Sequence, residues 1–128
     1  MSVLGITYDA GALIAAERGD LRFGAIHADA LRRGVPPTVP AGVLAQVWRG
    51  GPQPNLSRVL SGCRVEALTE ERARAIGRLA AVSGHDDAVD LSVVEGAARR
   101  TDIIVTSDPG DLERIAASLG AAVRLVVV

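Results

Sequence analysis

The 128 residues of the chain suffice for one domain, which we expect to span residues 1–128 and to bury about two thirds of its surface on folding. Hydrophobic residues make up 48% of the sequence and aromatic residues only 2%, which excludes a disordered chain and predicts a core of Ala, Val, Leu and Ile. The formal net charge of −1 excludes a globally basic protein, so any nucleic-acid partner must be recognised by a local patch.

The composition also favours a soluble, cytoplasmic protein. The apolar N-terminal run has no basic residues before it and is interrupted by Asp9, unlike a signal peptide. No run approaches the roughly 20 apolar residues that a membrane span requires. The single cysteine, Cys63, excludes an intramolecular disulfide and suits a reducing compartment.

Short β-compatible runs alternate with helical runs along the chain. Apolar and β-branched residues predict strands at about residues 3–8, 63–68, 102–106 and 123–128. Capping residues, glycines and prolines predict a first helix that ends at about Glu17. They predict six further helices, at about residues 21–33, 41–49, 55–60, 69–82, 86–99 and 112–119. Residues 35–40 contain too many prolines for a central strand, except around Thr38-Val39, and Pro40 suits the first turn of the next helix.

This alternation predicts a single α/β domain with a mostly parallel central sheet of four to five strands flanked by helices. In such sheets, ligands bind beyond the carboxyl ends of the strands. Asp9 and Asp108 each follow a predicted strand and precede a helix, so we expect both carboxylates at this edge. There they repel each other unless a cation or a proton intervenes. Asp108 also suits a turn or an N-cap, whereas Asp9, beside an apolar strand, is costly unless it is paired or used.

Further aspartates lie near the starts of two later helices. Asp87 and Asp90 are three residues apart and therefore share one helical face. Asp87 suits the solvated first turn of a helix, but Asp90 lies past the position that the helix dipole favours most. Asp111 follows Asp108 by three residues and suits a capping role equally well. Asp90 is therefore the hardest of these acids to explain by helix formation alone.

No cluster of histidines or cysteines accompanies these acids. His27 is expected on a helix surface and His85 in a loop, and neither has a Ser or Cys partner at a spacing typical of a catalytic triad. Oxygen-only ligands favour Mg²⁺ or Mn²⁺ over Zn²⁺. Hard cations held by a few aspartates typically act on phosphates, so the residues predict a metal centre with a phosphate substrate.

Four stretches of the sequence, taken in order, resemble the PIN domain family, the metal-dependent nuclease fold of VapC-type toxins. They extend over nearly the whole chain and comprise Asp9 after the first strand, residues 39–50 (VPAGVLAQVWRG), residues 87–91 (DAVDL) and residues 105–112 (VTSDPGDL). The resemblance implies that Asp9, Asp90 and Asp108 are catalytic acids that bind Mg²⁺ or Mn²⁺. It makes Asp87 and Asp111 candidates for further metal ligands.

Other positions of the site also follow from the resemblance. Thr106 matches a residue whose hydroxyl helps to orient the carboxylates. The usual acid of the second family helix falls at Gln46, where an amide brings no charge and should weaken Mg²⁺ binding. Arg49, next to that helix, is the best placed arginine for binding RNA phosphates, and Trp48 beside it suits base stacking, a core position or a partner interface. Further candidate arginines are Arg18, Arg22, Arg99 and Arg100.

The function that the resemblance implies is hydrolysis of RNA phosphodiester bonds by a Mg²⁺-dependent ribonuclease, paired with a small antitoxin and forming a homodimer. The alternative is a degenerate PIN module that binds RNA or an antitoxin without cleavage, which Gln46 favours. A phosphoacceptor receiver domain needs a lysine near its phosphoryl group, and all 14 basic residues here are arginine. A nucleotide-binding domain is disfavoured because no P-loop or Gly-x-Gly-x-x-Gly run follows any strand.

Overall fold

The computed structural model describes residues 4–120 and 122–128. The strands are β1 (Ile6–Tyr8), β2 (Thr38–Pro40), β3 (Arg64–Glu66), β4 (Ile103–Thr106) and β5 (Leu125–Val127). The helices are α1 (Ala10–Glu17), α2 (Leu21–Arg32), α3 (Ala41–Val47), α4 (Pro54–Ser61), α5 (Glu70–Ser83), α6 (Ala88–Arg100) and α7 (Gly110–Ser118). Among the described residues, none of these helices combines the length and the apolar composition that a membrane crossing requires.

The five strands form one parallel sheet in the order β3-β2-β1-β4-β5. Helix α1 packs against α2, α3 and α4, whereas α5, α6 and α7 pack against one another. Because crossovers between parallel strands are right-handed, these two groups of helices cover opposite faces of the sheet. The predicted α/β fold with a parallel central sheet is confirmed. All five carboxyl ends lie at one edge, where β1 and β4 are neighbours.

The core is built from the aliphatic residues that the composition predicts. Fully buried side chains include Leu13, Val39 and Ile104. Tyr8 and Phe23 are the exceptions to this aliphatic core, with ring centroids 4.9 Å apart. Burial of this kind stabilises the fold by about 25 cal/mol for each Å² of apolar surface removed from water. Burial also raises the pKa of the Cys63 thiol to about 12, which keeps it uncharged and unreactive at neutral pH.

Strand β2 departs from the prediction around the prolines. It lies between β1 and β3 and includes Pro40, which is extended at φ −60° and ψ 142° and serves as the N-cap of α3. The proline fits because it is the last residue of the strand, and its fixed φ suits both a strand end and a helix start. The assignment of Pro40 to the first helical turn was therefore wrong, although Thr38-Val39 is a strand as expected. Val3, predicted to begin β1, lies outside the described residues.

His27 does not lie on a helix surface as predicted. Its side chain is buried in α2, with the Tyr8 hydroxyl 2.8 Å from Nδ1 and the Phe23 ring stacked at a centroid distance of 5.8 Å. Burial lowers the pKa of His27, which favours the neutral ring in its hydrogen bond with the Tyr8 hydroxyl. The apolar positions of α2 alone do not predict this burial, since the polar partner comes from β1.

Candidate metal centre

Asp9 lies at the junction of β1 and α1 and is only 8% exposed. Its Oδ1 accepts a hydrogen bond of 2.8 Å from the backbone amide of Ala12, which makes Asp9 the N-cap of α1. Its Oδ2 accepts a bond of 2.5 Å from the Thr106 hydroxyl. Burial raises the pKa of Asp9; the two hydrogen bonds oppose this, and the charges of Asp90 and Asp108 raise the pKa further. Asp9 is therefore a buried acid that neighbouring acids destabilise in its charged form.

Thr106 connects the ends of the two neighbouring strands. It is the last residue of β4 and is fully buried. Its hydroxyl donates to Asp9, and the same oxygen accepts a bond of 3.0 Å from the backbone amide of Asp108. The register explains the arrangement. Tyr8 of β1 pairs with Val105 of β4, so the residues that follow them, Asp9 and Thr106, meet at the sheet edge. One hydroxyl thus fixes both the Asp9 side chain and the backbone that carries Asp108.

Gly11 allows the loop after β4 to come this close to α1. A Cβ atom at this position would lie 3.2 Å from the backbone nitrogen of Ser107, tighter than ordinary packing permits. Glycine therefore brings the loop that carries Asp108 against the first turn of the helix that Asp9 caps. The sequence pattern did not distinguish this close approach from a simple turn.

Asp108 is exposed and does not cap α7. The N-cap of that helix is Pro109, and no side chain caps it, so the N-cap interpretation of Asp108 is wrong, although Asp108 does lie in the turn between β4 and α7. Asp111 occupies the first turn of α7 and is not its cap either; it forms an ion pair with Arg114 one turn later. Exposed pairs of this kind contribute little to stability, so Asp111 is available to other partners.

The start of α6 carries two further acids. Asp87 is the N-cap, and one of its oxygens accepts bonds from the amides of Val89 and Asp90 at 2.9 and 3.1 Å. Because α6 begins only at Ala88, Asp90 lies in its first turn and not, as predicted, past the position that the dipole favours; it is partly buried. Burial raises the pKa of Asp90, the charges of Asp87 and Asp111 raise it further, and His85 opposes them. The sheet edge, α6 and α7 thus converge on one acidic site.

His85 belongs to this site and was missed. It was predicted in a loop, which is correct, but it does not stand alone: its Nε2 lies 3.6 Å from Oδ2 of Asp90. One donor atom from each of His85, Asp90 and Asp111 lies within 4.8 Å of the others. The run His85-Asp86-Asp87, which ends at the N-cap of α6, was the available signal, but only the packing of α6 against α7 brings Asp111 to it.

Gln46, Trp48 and Arg49 lie on or just after α3, and all three are exposed. Gly42, in the first turn of that helix, packs closely on Val89 of α6, since a Cβ at Gly42 would lie 3.3 Å from a Val89 methyl carbon. Gln46 follows Gly42 by one helical turn and therefore projects from the side of α3 that faces α6. The Arg49 guanidinium donates to the Trp48 carbonyl at 2.9 Å and makes no ion pair with the described residues.

Two of the candidate phosphate-binding arginines are used elsewhere. Arg99 forms ion pairs with Glu66 at 2.6 Å and with Glu95 at 3.1 Å. Arg100 pairs with Glu66 at 2.7 Å and with Asp102 at 2.8 Å. Both lie at the C-terminal end of α6, opposite the end that carries the acids. Their assignment to phosphate binding was therefore wrong, because the fold pairs them internally.

Comparison with solved structures identifies the fold that carries this site. A chain of the VapBC2 complex from Rickettsia felis, bound to a DNA fragment from its promoter, matches with a TM-score of 0.71 and 14% identity over 98% of this chain and 99% of that chain. A chain of DNA-bound VapBC from Salmonella typhimurium matches with 0.69 and 17% over 98% of each chain. PAE2754 from Pyrobaculum aerophilum matches with 0.61 and 17% over 95% and 83%.

No family model and no curated protein matches the sequence. At identities of 14–17%, likeness to solved structures establishes the fold alone. The chain has the α/β fold of the VapC-type PIN domains, with five parallel strands in one sheet and helices on both faces. The resemblance that four stretches of the sequence indicated is thus confirmed at the level of the fold.

Proposed function

We propose that the chain is a metal-dependent endoribonuclease of the VapC type, which hydrolyses RNA phosphodiester bonds. The observation that carries this proposal is the charge environment of Asp9. Asp9 is only 8% exposed; burial raises its pKa, and the negative charges of Asp90 and Asp108 raise it further. The ion pairs of the described residues include Asp90 with His85 and Asp111 with Arg114, but none with Asp9 or Asp108. Converging carboxylates without a counter-charge are typical of divalent cation sites.

The donor chemistry fits such a cation. Asp9, Asp90 and Asp108 offer carboxylate oxygens, which suit Mg²⁺ or Mn²⁺. Asp87 and Asp111 are candidates for further ligands, because both hydrogen bonds to Asp87 use a single oxygen and Asp111 has only an exposed ion pair. When bound, the cation supplies positive charge that lowers the pKa of a water molecule and stabilises charge on the phosphate.

The residues of the chain itself supply preorganisation. The Thr106 hydroxyl and the Ala12 amide hold one oxygen of Asp9 each, so the side chain does not have to reorganise when a ligand arrives. A carboxylate has about four acceptor sites, which leaves each oxygen of Asp9 a free lone pair. The start of α6 adds the partial positive charge of its dipole beside Asp90. Substrate and cation therefore meet acids whose positions the backbone has already set.

RNA binding is assigned to the end of α3. Arg49 keeps an exposed guanidinium beside the exposed Trp48, a combination that suits a phosphate and a stacked base. Arg49 remains the RNA-binding candidate, in contrast to Arg99 and Arg100. Because the net charge is −1, this local positive charge has to offset the acids of the site when an anionic substrate approaches.

We further propose a small antitoxin as protein partner, a homodimeric state and a cytoplasmic location. Two of the matched structures are toxin–antitoxin complexes by name, VapBC2 and VapBC, which supports the first. The free, partly buried Cys63 suits the cytoplasm, where an RNA substrate is found.

A non-cleaving PIN module that binds RNA or an antitoxin is the second candidate. Its support is Gln46, which places an uncharged amide where a carboxylate is expected and so reduces the negative charge available to a cation. The retained trio of Asp9, Asp90 and Asp108 favours the nuclease, since a binding module has no use for acids that repel one another.

The proposal is tested by incubating the purified protein with structured RNAs in Mg²⁺ or Mn²⁺, and in EDTA. We expect cleavage only with metal, and a loss of at least about a hundredfold in Asp9→Asn. Asp29→Asn is the matched control, because Asp29 is a solvent-facing acid paired with Arg32 and Arg33 on α2. RNA binding without cleavage in every metal would instead support the non-cleaving module.

A further inference from the structure

We infer that His85 is a nitrogen ligand of the metal centre and gives it a preference for first-row transition ions over Mg²⁺. The inference rests on the proposed function, since it adds a donor to the same carboxylate site. His85 lies in the loop between α5 and α6, five residues before Asp90, and faces it with Nε2 at 3.6 Å from Oδ2. The metal site predicted from the sequence has only oxygen ligands and does not include this side chain.

The separations between donor atoms suit a common ion. Ligands about 2.1 Å from one cation lie roughly 3 to 4 Å from one another. The distance between His85 and Asp90 falls in this range, and Asp111 completes a set of donors within 4.8 Å. Asp111 sits on the first turn of α7, and its side chain is half-exposed.

A simple ion pair does not account for the arrangement. Asp87 and Asp111 also act on Asp90. Arg114 pairs with Asp111, but three acids against Arg114 and His85 still leave an excess of negative charge, whatever charge His85 carries. The loop restrains the backbone of His85: Gly84 ends α5 in the left-handed conformation at φ 71°, and the His85 amide donates to the Ser83 hydroxyl at 3.2 Å. The imidazole beside Asp90 and Asp111 makes a donor set of mixed nitrogen and oxygen.

The chemistry of this set differs from that of the acids alone. Imidazole is a borderline ligand that binds Co²⁺, Ni²⁺ and Zn²⁺ well and adds little to Mg²⁺, which prefers oxygen and water. Affinity along the first row rises from Mn²⁺ towards Ni²⁺ for such sites. His85 thus supplies a donor where Gln46 has removed a carboxylate, and it shifts the preferred ion rather than restoring the lost charge.

The test compares metal binding by wild type, His85→Gln and Asp29→Asn, with calorimetry for Co²⁺ and Mg²⁺ and with the visible absorption of bound Co²⁺. We expect His85→Gln to weaken Co²⁺ by about tenfold or more, to change Mg²⁺ by less than about threefold, and to alter the Co²⁺ spectrum. Asp29→Asn should leave all three unchanged. Melting curves of the metal-free proteins check that His85→Gln is folded.

Three outcomes separate this inference from the proposed function. Equal weakening of Co²⁺ and Mg²⁺ binding in His85→Gln overturns nitrogen ligation, because it means that His85 only positions the Asp90 side chain. An unchanged Co²⁺ affinity and spectrum overturn it as well, while RNA cleavage that depends on Asp9 still supports the nuclease. Selective loss of Co²⁺ in a protein that cleaves no RNA supports the His85 assignment and contradicts the nuclease.

Discussion

Asp9 and Asp102 are two equally buried acids whose charged neighbours have opposite signs. Each is 8% exposed, and each accepts a hydrogen bond from a buried threonine of a neighbouring strand, Thr106 at 2.5 Å and Thr7 at 2.8 Å. Asp102 also pairs with Arg100 at 2.8 Å. Asp9 forms no ion pair among the described residues; burial raises its pKa, and the charges of Asp90 and Asp108 raise it further. The fold therefore places an arginine beside Asp102, the structural acid, and none beside Asp9 at the sheet edge.

The arginine that neutralises Asp102 is itself held firmly. Its guanidinium donates to Asp102, to Thr7 at 2.9 Å and to Glu66 at 2.7 Å, so three of its donor groups are used. Burial acts to raise the pKa of Glu66, but hydrogen bonds from Arg99 and Arg100 and their positive charges outweigh it, so the pKa is lowered. Buried polar side-chain atoms among the described residues all have a partner, so the unbalanced feature at Asp9 is charge and not hydrogen bonding.

Removing Arg100 should cause the largest change in stability, because it leaves Asp102, like Asp9, without a neighbouring cation. Arg100→Met should lower the free energy of unfolding by about 3–5 kcal/mol, since it leaves Asp102 and Glu66 without their shared cation. Urea denaturation of the metal-free protein measures this loss. The double variant Arg100→Met/Asp102→Asn should recover part of it. A single-variant loss below about 1 kcal/mol would mean that the pair contributes nothing and that the contrast with Asp9 is false.

Neutralising the two acids one at a time should shift stability in opposite directions. Asp9→Asn keeps one oxygen to cap α1, and its amide nitrogen can donate to the Thr106 hydroxyl in place of the oxygen that accepted from it. Because the substitution also removes repulsion from Asp90 and Asp108, the metal-free protein should become more stable. Asp102→Asn should lose about 1–3 kcal/mol, because Arg100 loses a charged partner. Both variants are compared with wild type by urea denaturation in EDTA. Destabilisation by both would show that Asp9 is as structural as Asp102.

Restoring a carboxylate on α3 should have a smaller effect, confined to the metal-bound state. Gln46→Glu should tighten Mn²⁺ binding by roughly three- to tenfold, because it returns one negative charge to the site. The metal-free protein should become no more stable, since the new charge is repelled by the others. Calorimetric titration with Mn²⁺ measures the affinity. An unchanged affinity would place position 46 outside the metal centre.

The pH dependence of stability that His27 causes should be the smallest effect, because this buried ionisable side chain has a neutral partner, Tyr8. Burial lowers its pKa in the folded protein below the ordinary value of 6.5, so the unfolded chain binds more protons below that pH. The stability that neutral His27 contributes is therefore present above pH 6.5 and is lost as the pH falls towards the folded pKa. Denaturation of wild type and His27→Gln between pH 7.5 and 5 compares the losses. An equal loss in both would contradict this assignment.

The positions of Asp9, Thr106 and Asp108 were predictable because they depend on strand ends alone. A parallel sheet brings such residues to one edge whatever the details of packing, and the spacing of Asp87 and Asp90 likewise follows from one helix. The contact between His85 and Asp111 was not predictable, since it requires α6 to pack on α7. The burial of His27 under Tyr8 and the pairing of Arg100 with Asp102 also depend on partners distant in sequence.

Prolines and glycines were predictable only in part. Pro40 signalled a boundary, but its φ suits a strand end as well as a helix start, so the pattern left its element open. Gly11 signalled a turn, whereas its role is to admit the loop with Ser107. Local conformational preference identifies such positions, and tertiary packing decides what they do.

The central claim is that the acids around Asp9 hold a divalent cation, and calorimetric titration of Mn²⁺ into the metal-free protein tests it most directly. Wild type and Asp29→Asn should bind Mn²⁺ with the same affinity, and Asp9→Asn should bind it at least about tenfold more weakly. The same Mn²⁺ affinity in all three proteins, or no binding to wild type at millimolar Mn²⁺, would contradict the claim.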